Sequence, residues 1–296
     1  MIAPRRLLEL SRRAFSPVAL AFLLVAAWAG RDAFLQALSL ARTGPVLLAV
    51  LAWSTTHLLV PLMVHALLAS LGRSPGYKTL LRIHLKRLPA RYLPGGIWHT
   101  VSRVADLSTM GYGRSTLATL VALENLLPLG LALLLAALAW LAGGRDPQAG
   151  GWILASGLVI LASLPLLTSR VAGQALAVRA YAAALLPAAL FWMVAAFAFT
   201  TYWLAFPTAS EGLTALEIAA SYLLAWASGF VAVFAPQGMG VFEAVAASLL
   251  KGGLPFAGIA VLVAGFRATL LAGDALAYLT YLTYLAFRRY MGDGAR

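Results

Sequence analysis

The apolar positions of this chain fall into long, nearly unbroken runs. They form neither the one-sided stripes of soluble helices nor the alternation of half-exposed strands. Runs at 15–30, 45–71, 115–142, 152–167, 181–206 and 213–234 carry few charged residues. Most approach the roughly 20 apolar residues that a helix needs to cross a bilayer. A last run, 256–290, would reach roughly 50 Å as one helix, beyond a hydrocarbon core of about 30 Å. The sequence therefore predicts a break near Gly265 or Gly273 and a double crossing there. The expected fold is an all-α integral membrane protein of about eight transmembrane helices. It forms one polytopic domain over 1–296, with halves at about 1–142 and 151–296.

Two stretches interrupt this pattern. In VFAPQGMGVFEAVAASLL, residues 233–250, an apolar background holds Pro236, Gly238, Gly240 and the ionisable Glu243. Pro removes a backbone donor and glycine loosens the chain. The expectation is a helix stopping near Ala235, an unwound segment, and a new helix from about Gly240. The second stretch, 91–99, holds Pro94, Gly95, Gly96 and His99, and leads to Arg103 and Asp106. At 93–110 it is too short and polar to span, so both stretches read as re-entrant segments. Broken backbone survives at membrane depth only where protein or a wet cavity satisfies it. Two such segments in corresponding places suggest an internal inverted repeat with a site where they meet. Ordinary loops between helices are the plainer alternative.

Composition settles the class. Hydrophobic residues make up 62% and charged residues only 11%, whereas soluble domains are about a quarter charged. The formal net charge of +12 comes mostly from Arg and Lys between the apolar runs. There it serves topology and anionic headgroups rather than nucleic acid. The densest block holds Arg73, Lys78, Arg82, Lys86, Arg87 and Arg91 without one acid. It reads as cytoplasmic and suited to lie on anionic lipid. With Arg5, Arg6, Arg288 and Arg289 at the ends, both termini are expected inside, in a bacterial or archaeal cytoplasmic (inner) membrane. No cysteine is present, and His57, His65, His84 and His99 form no HxxxH or HExxH pattern. No metal or cofactor is expected, and the absence of a P-loop argues against direct ATP use. His57 and His65 lie eight apart on roughly one helical face. They read either as hydrogen-bonded interior histidines or as a proton-handling pair.

The segment Pro236-Gln237-Gly238-Met239-Gly240-Val241-Phe242-Glu243-Ala244 resembles the P-x-G-x-G-V-x-E-A signature of the lysylphosphatidylglycerol synthase transmembrane (flippase) region. Leu93-Pro94-Gly95-Gly96 followed by Arg103 is similar to that family's first-half motif. Relatives often carry Arg where this chain has Phe242, and Gly near the position of Trp98 and His99. The resemblance implies a stand-alone member, without the aminoacyl-transferase domain, that handles phospholipids, modified phospholipids or lipid-linked saccharides. Half-helix N-termini after Pro94 and Pro236 would offer free N–H groups to phosphate, and Arg103 and Arg267 would add charge-assisted bonds. Glu243, Glu124 and Asp274 would hold those arginines when no lipid is bound, with Asp106 as a further charge partner. The plainer reading of each charge is an interior ion pair, since an intramembrane Arg needs a partner in any protein. Two other functions compete: a membrane-embedded transferase on lipid-linked substrates, and a non-catalytic subunit of a cell-envelope complex. Expected partners are anionic membrane lipids, with a homo-oligomer or an envelope complex as further options.

Overall fold

The computed structural model describes residues 28, 31–32, 35, 39–92, 98–171, 173, 175–233, 235 and 238–293, without the side chains of 98, 99, 171, 289 and 291–293. Among the described residues the fold is all-helical. The chain runs through α1 (Thr43–Ser70), α2 (Tyr77–Arg87), a 3₁₀ turn (Leu88–Tyr92), α3 (Trp98–Thr109), α4 (Arg114–Ala142) and α5 (Pro147–Val171). It continues through α6 (Val178–Leu204), a single turn (Pro207–Ser210), α7 (Ala215–Val231), α8 (Val241–Leu249) and α9 (Phe256–Asp293).

Among the described residues five helices, α1, α4, α5, α6 and α9, are long and apolar enough to cross a membrane, and Ala215–Val231 is a shorter apolar helix. Their outward faces are apolar too: Leu47, Leu51, Leu58, Val159, Leu166, Phe197 and Leu279 are all exposed. Water would penalise such a contiguous surface, and lipid does not. The chain is a helical membrane protein. The expected first span, 15–30, lies outside the described residues except for residue 28.

Helix α1 packs chiefly on α6 and also on α9. Helix α4 packs on both α5 and α7; of the short helices, α2 packs on α1 and α3, α3 also on α4, and α8 on α7 and α9. Glycines set the close contacts, as small residues do between helices in lipid. A Cβ on Gly157 of α5 would stand 2.8 Å from the carbonyl oxygen of Gly130 on α4.

Two boundaries differ from expectation. The run at 256–290 does not break: α9 is a single helix of 38 residues, and the described residues contain no second crossing after Phe256. Its two glycines serve packing. A Cβ at Gly265 would meet the Tyr202 hydroxyl at 2.8 Å, and one at Gly273 would meet Trp53 Cδ1 at 2.7 Å. The short fourth span is longer than predicted, starting at Pro147. Asp146 caps it, accepting from the backbone N–H of Gln148 (3.2 Å) and Ala149 (3.1 Å), and Pro suits the first helical position.

The interruption in the second half takes the expected form. Helix α7 ends at Val231, four residues before the predicted stop, and α8 begins at Val241. Gly238 has φ +67°, and a Cβ there would lie 2.9 Å from Gly229 Cα on α7. Glycine is thus required twice over, for its backbone angle and for its contact.

Candidate functional site

Three interior carboxylates, with a fourth nearer the surface, organise the polar groups of the bundle. Glu243 lies three residues into the new helix and is fully buried. Its Oε2 accepts from the Gly240 N–H at 2.7 Å, and its Oε1 accepts from Arg267 Nε at 2.8 Å. It therefore caps α8 and anchors an arginine of α9 at once. The Arg267 guanidinium also stands 5.7 Å from the ring of Phe242. Glu124 of α4 holds Arg103 of α3 through its Oε2. The other oxygen of Glu124, Oε1, is buried and has no hydrogen-bond partner among the described residues.

Asp274 of α9 collects four donors. Oδ1 accepts from Trp53 Nε1 (2.6 Å) and bonds to His57 Nε2 (2.9 Å). Oδ2 accepts from Arg91 Nη1 (3.1 Å) and the Tyr92 hydroxyl (2.7 Å). His57 Nδ1 in turn faces His84 Nε2 at 3.1 Å. Burial and the Asp274 bond push the Tyr92 hydroxyl pKa up. Burial, His57, and the nearby Arg103 and Arg91 hold His84 of α2 well below the usual imidazole range, and Asp274 only partly opposes them. Closer to the surface, Arg87 grips Asp106 with two bonds of 2.9 and 2.7 Å, which lowers the Asp106 pKa against a smaller opposing effect of burial.

The arginines of these pairs converge. A cavity of about 500 Å³ is lined by Arg87, Arg91, Arg103 and Arg267, together with His57, His84, Glu124 and Asn125. Its apolar walls include Trp53, Phe191, Trp192, Trp226, Phe242 and Phe266. Asp106, Glu243 and Asp274 stand behind their arginines, outside the lining. The volume falls within the ~300–1,000 Å³ of small-molecule sites, which likewise set a few polar groups in apolar walls. Two prolines lie close by in sequence. Pro61 and Pro128 sit inside α1 and α4, four residues after His57 and Glu124, whose carbonyls lose their usual helical partners.

Of the predicted site residues, Arg103, Gly238 and Arg267 line this cavity, with Glu124 as a lining charge partner. Gly240 and Glu243 form the cap beside it. Pro94, Gly95, Gly96 and Pro236 lie outside the described residues, as does the side chain of His99. Thr100 and Arg103 from the first half do line the same space as Ala235, Gly238 and Phe242 from the second. Within the expected pairings, Arg267 reaches Glu243, whereas Asp274, seven residues further along the same helix, takes Arg91. Asp106 pairs with Arg87.

His57 and His65 belong to separate networks, since His65 Nδ1 bonds the Ser74 hydroxyl at 2.6 Å. Sequence reasoning passed over His84, Arg91, Tyr92 and Trp53 as site residues. Their only signal was an ionisable or polar group within or beside apolar runs. No protein-family model matches the chain, and no curated protein or solved structure matches it at significance.

Proposed function

We propose that the cavity receives the phosphate-bearing headgroup of a membrane lipid, and that the protein passes such lipids between leaflets as a flippase-like translocase. The observation that carries this reading is the convergence of four arginines on one apolar-walled cavity in a membrane protein. Guanidinium groups bind phosphate through paired, charge-assisted bonds, and aromatic walls suit the glycerol and upper chain region. The volume suits a headgroup and leaves the acyl chains outside, in the bilayer. The unpartnered Glu124 Oε1 favours a headgroup with a donor besides its phosphate, such as the ammonium of a modified phospholipid or the hydroxyl of a lipid-linked saccharide. The short helices α3 and α8 act as re-entrant elements from the two halves. The resemblance of 236–244 to the flippase region of lysylphosphatidylglycerol synthases points the same way.

The test is reconstitution of the full chain in vesicles carrying a fluorescent phosphatidylglycerol, with leaflet exchange read by dithionite quenching. Exchange should exceed that of protein-free vesicles, and Arg267→Ala should lower it at least severalfold. Exchange equal to that of protein-free vesicles, from folded protein, overturns the proposal.

A further inference from the structure

With Asp274 ionised and His57 neutral, the chain of bonds from His84 through His57 to Asp274 allows one proton arrangement. An ionised carboxylate only accepts, so His57 Nε2, 2.9 Å from Asp274 Oδ1, carries a hydrogen. In neutral His57 the other nitrogen, Nδ1, is then an acceptor, so His84 Nε2, 3.1 Å away, carries one too. That leaves Nδ1 of His84 as the basic nitrogen of the pair. A proton added there makes His84 an imidazolium. Transfer of the shared hydrogen from His84 Nε2 to His57 Nδ1 moves the charge to His57, beside Asp274. One proton enters, none leaves, and both rings line the cavity.

Arg91 is the group this relay would release. Its guanidinium lines the cavity, 5.8 Å from the Trp53 ring, and holds Asp274 Oδ2 at 3.1 Å. A phosphate that draws Arg91 away strips a buried carboxylate of its permanent cation, which is costly unless another replaces it. Protonated His57 is that replacement, already in hydrogen-bond contact. We propose that anion binding at Arg91 is coupled to uptake of one proton by the His84–His57 pair, making the cavity a proton-linked anion site. The inference depends on the lipid reading only for the source of the anion.

The surrounding charges set the direction. His84 also faces Arg91 of the 3₁₀ turn and Arg103 of α3, and both repel a proton while the cavity is empty. Asp274 is faced by His57 of α1 and by Arg91 and Tyr92 of the turn. Arg103 is balanced by Glu124 of α4, Arg267 by Glu243 of α8, and Arg87 of α2 by Asp106 of α3. Helix α6 contributes the apolar Phe191 against Trp53. With the cavity empty, burial and these arginines oppose a proton on His84. A bound anion offsets Arg91 and Arg103 and raises proton affinity, so binding tightens as pH falls.

The experiment uses the full chain in neutral-lipid nanodiscs and two phosphodiesters, dihexanoylphosphatidylglycerol and diethyl phosphate. Both stay singly charged between pH 5.5 and 8, so any proton taken up goes to the protein. Calorimetry in two buffers of different protonation enthalpy counts that proton. The expected result for the lipid is uptake approaching one proton, with Kd falling by up to about tenfold per pH unit. His57→Gln retains an N–H donor for Asp274 but holds no extra proton, so its Kd should be flat with pH and its uptake zero. His84→Gln removes the nitrogen at which the proton enters, should lower the uptake and flatten the pH dependence, and serves if His57→Gln does not fold. Lipid binding without proton uptake, or uptake unchanged in either variant, overturns the linkage and leaves the lipid reading standing. Proton-linked binding of diethyl phosphate as tight as that of the lipid keeps the linkage and sinks the lipid reading. Binding of neither compound overturns both.

Discussion

Substituting Glu243 by Gln separates a helix cap from an exchangeable ion pair. The carboxylate serves two donors, the Gly240 N–H at 2.7 Å and Arg267 Nε at 2.8 Å. A carboxamide has one acceptor oxygen, so its NH2 must face one of the two. The Gly240 N–H is fixed in the backbone, whereas Arg267 lines the cavity and is one-third exposed. The amide oxygen therefore keeps the cap, and Arg267 is set free. Losing the charge-assisted bond costs about 1.5–3 kcal/mol of stability, more than the ~1 kcal/mol expected if Glu243 were only a cap. The same freed guanidinium no longer has to be drawn from its carboxylate when an anion arrives. If the ligand recovers about half of that energy, ~0.8–1.5 kcal/mol, binding tightens about four- to twelvefold. Calorimetric Kd for dihexanoylphosphatidylglycerol and thermal unfolding of the same sample give both numbers. Tighter binding should come with slower leaflet exchange. Arg267→Ala should weaken binding, and adding Glu243→Gln to it should bring no gain, since the pair is coupled. A folded Glu243→Gln protein with unchanged or weaker Kd refutes the exchange and leaves a cap.

Two further outcomes test the framework around the site. Gly238→Ala forces a side chain at φ +67° into a position 2.9 Å from Gly229 Cα. It should destabilise by about 1–3 kcal/mol, and unchanged thermal unfolding would contradict the close approach of α7 to the broken segment. Arg87 lowers the Asp106 pKa, so the pair's contribution is present above the unfolded value of about 3.9 and is lost as pH falls through the lower folded value. Asp106→Asn should cost about 1 kcal/mol or less at pH 5–8, with the difference from the parent vanishing at the acid end. A difference that stays constant from pH 7 down to the acid end of the titration would refute the assignment.

Local chemistry was legible in the sequence, and long-range pairing was not. The restart of the helix at Val241 and the capping place of Glu243 follow from Pro and Gly punctuation three to seven residues away. The fate of 256–290 was misread because a glycine inside an apolar run has two uses. It can loosen a helix, or it can admit a neighbour, and only the position of Trp53 against Gly273 decides between them. Likewise Asp274 has partners 182, 183, 217 and 221 residues away. Its four-donor site has no spacing to read, and neither does the meeting of His57 with His84 across two helices. Arg267 and Asp274 stand seven apart on α9, a spacing that helical periodicity puts on one face. That periodicity puts two residues on one face and says nothing of which partner each will find.

The cavity pairs also differ in a way that bears on which bonds open. Asp274 and Glu243 have side chains 1% and 0% exposed, while their arginines, Arg91 and Arg267, are 38% and 33% exposed. In the Arg103–Glu124 pair both partners are largely buried, at 11% and 6%. A buried carboxylate cannot follow its arginine into the cavity, since moving it would strand the donors that hold it. The guanidiniums of Arg91 and Arg267 are long, flexible and already partly in the cavity. They are the mobile halves of their pairs, and the acids are the fixed halves. Arg103 is held nearly as deeply as its acid and, on the proposed reading, would be the standing charge that positions the ligand. Exchange then divides between two sites of different chemistry. At Arg91 the carboxylate left behind has two histidines able to bring a proton. At Arg267 the carboxylate left behind has only the Gly240 N–H and the end of α8. On the proposed reading, release of Arg267 would be the costlier of the two, and Arg91 would be the first arginine drawn away by an arriving phosphate.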